Sequence, residues 1–585
     1  MFDQEKARIT AQIKAYLTNQ GIEDAVVEFR PIPFSGEWGL AVPLFPIAAS
    51  EARSGKKVIV PRRAQELAEG LRATMDPEEL GLSYIEAVKG YLNLYFSTAE
   101  YARKVVDTVL AEGAEYGKGV DKGETVMVEY SQPNTHKSFH VGHLRNVILG
   151  GSICRILDFA GYDVIRANYL GDIGLHVVKW MWNYLKNHKG ETPGEDKTYW
   201  MNEIYAEADR LFQDPAYQAE VRALYARWNA RDPEIIELWK RTRQWSLEGF
   251  EQIYELLGEH FDRIYFESEV EDAGTELIEQ LIEDGLAEDG RPEEPVFIDL
   301  DAAVGTENEY RVLVILRSDG SSLYATKDLP LAIKKFEEYD LDRSIYVIDV
   351  RQSLYLKQIF KTLELLGYEW SDQLYHLAYE LVNLPGNVTM ASREGTVVLF
   401  DDLVEEATNR AKAIVQEKNP ELSIAAKENI AKAVALGALK YTMLSRDNTK
   451  VVTFDWDAAL DFNGQAAPYI QYAHVRAGSI LRKAGVETAP EAPFPSDLEK
   501  AEVDLIEAMT RLPEEVQRAA EELRPLILAN LAFDLAKAFN DFYNTCQVLN
   551  AAPATRAYRL RLVAAARQVI ATSLNLLGID APNMM

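Results

Sequence analysis

The sequence predicts a multidomain α/β protein with a parallel-sheet core, a small α+β module before it and an all-α domain after it. Three observations carry that reading. The strand-like run "TVMVEYSQPN", the helical run "HLRNVILGGSICRILDFAG" and a second strand-like run, "YDVIRANYLGD", follow one another closely. That is the order of a βαβ unit, hence of a Rossmann-like parallel sheet. Beyond about Asp402 the chain is almost wholly helical, with helix-period apolar stripes in "AAPYIQYAHVRAGSILRKAG" and "LAFDLAKAFNDFYNTCQVL". At 585 residues it is also too long for a single hydrophobic core.

Residues 1–115 read as the small mixed module. A helix over "EKARITAQIKAYL" precedes a strand over "DAVVEFRPI", then Gly/Pro punctuation and the alternating "GYLNLYF". The Gly- and charge-rich "AEYGKGVDKGE" reads as a linker. The core is expected over 122–400, interrupted at about 181–290 by an acidic helical insertion ("YAEADRLF", "EIIELWKRTRQW", "LEGFEQIYELLGEHF"). Strand signals return in "EYRVLVILRSDGSSLYATKD" and "RSIYVIDV", followed by a helix over "LYLKQIFKTLELLG". Residues 401–585 form the helical domain, broken by the Pro-rich "ETAPEAPFPSD".

The two cysteines, Cys154 and Cys546, exclude a disulfide scaffold and a cysteine-built metal site, and point to a reducing, cytoplasmic setting. No apolar run approaches the roughly 20 residues of a membrane span, and the charged "MFDQEKARIT" has no signal core. A net charge of −30 argues weakly against nucleic acid, although average repulsion leaves room for a local basic track such as "RAYRLRLVAAARQV".

Of eight histidines, three fall in "NTHKSFHVGHLRN": His136, His140 and His143. This stretch joins a strand's C-terminal end to a helix, the ligand-binding edge of a parallel sheet. Free N–H groups and the positive dipole end at a helix start suit phosphate. His140 and His143, three apart, face the same way. Gly142 between them lets a flat base approach the backbone, and Lys137 adds a mobile cation. Such a group suits a nucleoside triphosphate and charge developing at its α-phosphate. The same spacing would also serve a metal site or plain surface residues, but the general-base Glu of H-E-x-x-H is missing.

"HVGH" resembles the H-I-G-H element of class I aminoacyl-tRNA synthetases, and "EYSQPNTHKSFHVGHLRN" resembles its arginyl-tRNA synthetase version. "GYLNLYF", "GDIG", "LGEHFDRIYFES", "SDGSSLYATKDL", "YVIDVRQ", "REGTVVLFDDL", "PYIQYAHVRAGSIL", "AFNDFYN" and "LNLLGIDAPNMM" follow in the family's order, so the resemblance covers essentially the whole chain. It implies ligation of L-arginine to tRNA(Arg) through an adenylate made from ATP, with Mg2+ accompanying ATP and no dedicated protein metal site. His140, His143 and Lys137 would be catalytic. The K-M-S-K-S-like loop is "TMASREG" here, with Thr389 in place of the first Lys; Lys137 matches the Lys that takes over in arginyl enzymes. Met390, Ser392 and Arg393 would join Gly142 and the two histidines around ATP. Tyr169, His176 and Tyr355 depart from the family's usual His, Gln and His.

A guanidinium is planar, permanently charged and best held by carboxylates and rings. Glu129 closes the strand before the histidines; Tyr324 and Asp328, four apart in "LYATKD", share a helix face. The resemblance implies that Glu129 and Asn134 flank the substrate and that Tyr324, Asp328 and Gln352 complete its pocket. The plainer alternatives are a solvated strand end for Glu129, core packing for Tyr324 and a helix cap for Asp328. The N-terminal module resembles a tRNA-elbow-binding domain and the C-terminal domain an anticodon-binding one, with Tyr472, Tyr543 and Met585 near the anticodon. Exposed aromatics would stack on unpaired bases; helix packing is the alternative for both tyrosines. A monomer with tRNA, arginine and ATP as its partners is expected. Two rival readings stand beside this one: a class I ligase for another amino acid, such as cysteine or lysine, and a decayed synthetase paralogue that only binds RNA.

Overall fold

The computed structural model describes residues 3–23, 25–32, 37–54, 57–384, 388–389, 398–486 and 491–585. The chain divides into two compact units, one of Met1–Tyr116, Arg476–Pro513 and Asp534–Ile570, the other of Gly117–Val475, Glu514–Phe533 and Ala571–Met585.

In the first unit, helix α1 (Asp3–Asn19) precedes strands β1 (Arg30–Ile32) and β2 (Gly39–Pro43), helices α2 (Phe45–Arg53) and α3 (Val60–Thr74), the hairpin β3 (Tyr84–Val88) and β4 (Tyr91–Tyr95), and helix α4 (Thr98–Glu112). The strands form an antiparallel sheet in the order β1-β2-β4-β3. Alternation in β4 turns Leu92 and Leu94 inward, where they meet Ile9, Ile13 and Leu17 of α1 and Leu67 and Leu71 of α3. The strand expected over "DAVVEFRPI" forms only at Arg30–Ile32; Val27 and Phe29 ahead of it pack on the core without pairing. Trp38 stacks on Tyr101 at 4.4 Å, and its indole N–H donates to Glu507 at 3.1 Å. The N-terminal module and part of the C-terminal helices are thus one packed body.

The second unit is built on a five-stranded, wholly parallel sheet. Strand β5 (Thr125–Glu129) leads through helix α5 (Val141–Phe159) to β6 (Asp163–Leu170). Helices α6 (Leu175–Asn187), α7 (Lys197–Leu211), α8 (Pro215–Asn229) and α9 (Pro233–Leu257) intervene before β7 (Arg263–Phe266) and α10 (Glu267–Glu283). A small antiparallel sheet of β8 (Glu288–Asp289), β9 (Val296–Asp299) and β10 (Val312–Leu316), with α11 (Leu300–Val304) between its last two strands, precedes α12 (Tyr324–Glu338). Then come β11 (Arg343–Asp349), α13 (Ser353–Leu365) and β12 (Leu374–Tyr379). The large sheet runs β12-β11-β5-β6-β7. Its central strand buries Val126, Met127 and Val128 in succession, as a parallel strand covered on both faces requires. Strand order reverses between β5 and β11, and such a switch point opens a crevice at the strands' C-terminal ends.

The helical insertion expected at about 181–290 needs correction. Strand β7 lies inside that range and pairs in parallel with β6, Tyr169 opposite Tyr265. Only four residues long and flanked by acidic helices, it leaves too short a pattern to separate from its surroundings.

Helices α14 (Phe400–Lys418) and α15 (Ile424–Leu444) follow the sheet, and further helices span Ala467–Ala484, Lys500–Thr510, Leu512–Glu522, Leu526–Thr545 and Pro553–Leu576. Within the second unit, the buried Lys440 of α15 donates to the carbonyls of Leu257 and Gly578, joining three distant segments. Among the described residues, no helix is long and apolar enough to cross a membrane.

Candidate active site

The turn between β5 and α5 is strained and held from several sides. Ser131, Gln132 and His136 adopt positive φ of 79°, 49° and 62°, conformations that non-glycine residues rarely occupy. Asn146 Oδ1 accepts from the N–H of Ser131 at 2.6 Å, Asn168 Oδ1 from Gln132 at 3.1 Å, and Ser246 Oγ from His136 at 3.0 Å. His136 is a core histidine: it is 0% exposed, with both ring nitrogens within 3.0 Å of the hydroxyls of Thr135 and Thr242. Burial holds it far below an ordinary imidazole pKa.

His140 and His143 cap α5 through their own rings. The N–H of Gly142 donates to His140 Nδ1 at 3.1 Å, and the N–H of His140 donates to His143 Nδ1 at 3.2 Å. The rings stack at 3.8 Å. Because each Nδ1 accepts, each neutral ring carries its proton on Nε2. Burial keeps them neutral, pushing His140 down to about 4 and His143 well below the usual imidazole value. Two imidazole N–H donors therefore stand at a helix N-terminus. A Cβ on Gly142 would sit 2.9 Å from the His140 ring, so the glycine also makes room for the cap.

Both histidines line a cleft of about 660 Å³ with Asn134, Lys137 and, across from them, Asn202, Tyr205, Asp209 and Arg210 of α7. The Lys137 ammonium lies 5.5 Å from the Tyr205 ring centre. Burial, then the nearby Lys179, lower its pKa; Lys179 itself pairs with Asp209. Met390, Ser392 and Arg393 lie outside the described residues. Where the described chain resumes, the carbonyl of Val398 accepts from Val141 at 3.3 Å and Leu399 bridges to His140. The sequence after the K-M-S-K-S-like stretch thus returns to the histidine turn.

A second cavity, of about 270 Å³, opens at the switch point. Glu129, Asn134, Tyr324, Asp328 and Gln352 all line it, together with Gln132, Tyr169, Glu267, Tyr346 and Tyr355. Asn134 belongs to both walls. Its backbone bridges to Gly171, where a Cβ would meet the Asn134 side chain at 2.2 Å; this close approach explains the glycine of "GDIG". Tyr324 is 70% exposed at the rim, which rules out core packing. Asp328 sits in the second turn of α12, past any N-cap position.

The carboxylates are not equivalent. Glu129 is 2% exposed rather than solvated; it pairs with the fully buried Lys335 and accepts from Gln132 Nε2 at 2.8 Å. Glu267 pairs with Lys327 at 2.7 Å. Asp328 has no cation within ion-pair distance among the described residues, only the hydroxyl of Tyr355, which donates to it at 2.6 Å. Part of its surface faces the cavity, yet protein encloses the carboxyl. Burial raises its pKa to about 7; Glu129 and Glu267 add to the rise and the Tyr355 hydrogen bond opposes it. Three carboxylates with two internal lysines leave one negative charge unmatched, on Asp328.

Sequence reasoning missed Glu267 and Lys335, and singled out Tyr169 and Tyr355 only as departures from the family's pattern. Reading "RIYF" as a strand would have exposed the first, because Glu267 follows the C-terminal end of β7 at the ligand edge. In the C-terminal region Tyr472 is 38% and Tyr543 42% exposed, with Arg476 4.5 Å from the Tyr543 ring centre.

The profile of the family described as tRNA synthetases class I (R), catalytic domain, matches residues 105–456, and that of the DALR anticodon binding domain matches 470–585. The arginine–tRNA ligase of Clostridium botulinum is 33% identical over 568 residues, 96% of this chain and 97% of that protein. The arginine–tRNA ligase of Treponema denticola is 35% identical over 580 residues, 96% of this chain and 95% of that one. The solved arginyl-tRNA synthetase of Thermus thermophilus superposes with a TM-score of 0.73 at 29% identity, covering 98% of this chain and 99% of its own. With class I catalytic and anticodon-binding domains in order, and relatives this similar along nearly its whole length, the chain belongs to the arginine–tRNA ligase family of class I aminoacyl-tRNA synthetases.

Proposed function

We infer that the chain joins L-arginine to tRNA(Arg) in two steps. The arginine carboxylate attacks the α-phosphate of ATP in line; the bond to the β-phosphate breaks, leaving arginyl-adenylate and pyrophosphate. A hydroxyl of the tRNA 3′-terminal ribose then attacks the adenylate carbonyl, and AMP departs. The single observation that carries this is the shared wall at Asn134. A cavity with one unmatched negative charge opens beside a cleft of neutral imidazole donors and a lysine. An arginine with its guanidinium at Asp328 can turn its carboxylate toward a nucleotide in the cleft.

In this reading Asp328 takes the guanidinium, with Glu129, Tyr324 and Gln352 shaping the pocket and Asn134 guiding the reacting end. His140 and His143 donate from Nε2 to phosphate oxygens as charge builds, and Lys137 supplies the cation that Thr389 no longer can. No protein nucleophile takes part; the enzyme positions and stabilises. Gly142, Met390, Ser392 and Arg393 complete the ATP site, and Mg2+ would accompany ATP and offset its phosphate charge. Tyr472, Tyr543 and Met585 meet the anticodon, and their exposure in the two tyrosines supports stacking on bases over helix packing. The protein acts as a cytoplasmic monomer. The rival readings are disfavoured: the relatives carry the arginine name along nearly their full length, and the site groups a decayed paralogue would lose are present.

The test is ATP–pyrophosphate exchange with arginine, lysine or cysteine, with and without tRNA(Arg). Exchange with arginine alone among the three, dependent on tRNA and followed by charging, is expected. Absence of arginine-dependent exchange overturns the assignment.

A further inference from the structure

Tyr169 is the next-to-last residue of β6, with its side chain on the wall of the arginine cavity. Its hydroxyl oxygen is shut off from solvent and has no hydrogen-bond partner. The protein bears a cost for that atom, since a buried polar group without a partner destabilises the fold, whereas phenylalanine would fill the same space at none. Burial raises its ionisation well above that of an ordinary phenol, and the charged groups that add most to the rise are carboxylates, Asp328, Glu267, Glu129 and Asp172. Tyr346, the other wall tyrosine whose hydroxyl lacks a partner, differs: the Lys335 ammonium lies 4.1 Å from its ring centre. No such cation stands over the Tyr169 ring among the described residues, and the lysines at this wall, Lys335 and Lys327, are already paired with Glu129 and Glu267.

We propose that the Tyr169 hydroxyl accepts a hydrogen bond from the substrate guanidinium and is a specificity residue for arginine. This rests on the arginine reading of the cavity. A guanidinium carries five N–H donors in one plane. Asp328 can take two of them side by side, which leaves others directed away from the carboxylate toward the walls. A ligand donor placed among Asp328, Glu267 and Glu129 comes beside the Tyr169 hydroxyl, which has no hydrogen-bond partner of its own. An ammonium has no such spread of donors, so the hydroxyl stays unsatisfied with lysine, and an unmet buried group is a strong basis for rejection.

The variant Tyr169→Phe removes a single oxygen and leaves no cavity. Its KM for arginine in tRNA-dependent exchange is expected to rise about 10- to 100-fold, the range for a hydrogen bond to a charged group. KM for ATP and kcat are expected to stay within about threefold, and the ligand-free melting temperature to be equal or higher, because an unsatisfied hydroxyl has gone. The rise in melting temperature on adding L-arginine alone shrinks in parallel. An unchanged arginine KM, or a lower melting temperature with kcat and both KM values worsening together, overturns the proposal. Asp328→Ala separates the two levels. If it raises arginine KM while Tyr169→Phe does not, only the role of Tyr169 falls; if the wild type shows no arginine-dependent exchange or stabilisation, the arginine reading falls and this proposal with it.

Discussion

The carboxylate cavity and the histidine cleft share Asn134 but manage charge in opposite ways. In the cavity, charge is stored in the ligand-free protein: of three carboxylates, two pair with buried or half-buried lysines, and the third, Asp328, accepts only from the Tyr355 phenol. In the cleft, charge is withheld. His140 and His143 are kept neutral by burial, their Nδ1 atoms committed to the backbone, so that the site offers dipoles aimed at phosphate. A permanently charged ligand calls for a fixed counter-charge, whereas a reaction that moves charge calls for donors that need not reorganise. One region should therefore govern arginine KM and the other the activation rate.

The sharpest break of this division is Asp328→Ala. Removing the one unmatched acid leaves a guanidinium enclosed without its partner, a loss of about 3–5 kcal/mol in arginine recognition. Steady-state kinetics should show it in arginine KM while ATP KM moves little; an equal rise in both would merge the two regions into one.

Next come His140→Ala and His143→Ala, each expected to add about 2–4 kcal/mol to the activation barrier, read as slower pyrophosphate exchange with arginine KM nearly constant. Both rings also cap α5, so melting temperatures measured alongside account for the ~0.5–2 kcal/mol of a lost cap. Exchange at the wild-type rate in both variants would remove phosphate stabilisation from the cleft.

Lys137→Ala should weaken activation by about 1.5–3 kcal/mol, the scale of a charge-assisted contact, and by more than Arg393→Ala. The reverse order would locate the compensation for Thr389 in the loop instead.

The smallest effect is with pH, and it sets the two regions apart without mutation. Asp328 must be ionised to hold a guanidinium, and its pKa is raised to about 7. Arginine KM should fall severalfold as pH rises through 7 and level off above it, whereas the cleft, with His140 near 4, should add no inflection there. For the fold the sign is opposite. A raised carboxyl pKa means that the ligand-free protein holds this proton more tightly than the unfolded chain does. The stability Asp328 contributes is full below the unfolded value of about 4 and is lost as pH rises through about 7. Titrating arginine binding, and ligand-free unfolding beside it, across this range in wild type and Asp328→Asn checks both: the variant should show no dependence near 7 in either.

What the sequence determined by itself was local. Strand, turn and helix from Thr125 to Phe159 were legible because apolar periodicity and a histidine pair at a helix start are contained in one stretch of chain. Glu129, Asp328 and Asn134 were legible as chemistry, through charge and motif. Only the tertiary structure decided which acid is free. Glu129 finds Lys335 206 residues away and Glu267 finds Lys327 60 residues away, and no pattern within either stretch announces the partner. It likewise decided that β7 completes the sheet, that Gly142 serves a histidine cap, and that the Tyr169 hydroxyl has nothing to bond. These depend on strand register and on which helices cover a sheet edge. Hydrophobic burial sets those for the chain as a whole, and the spacing of residues along it does not encode them.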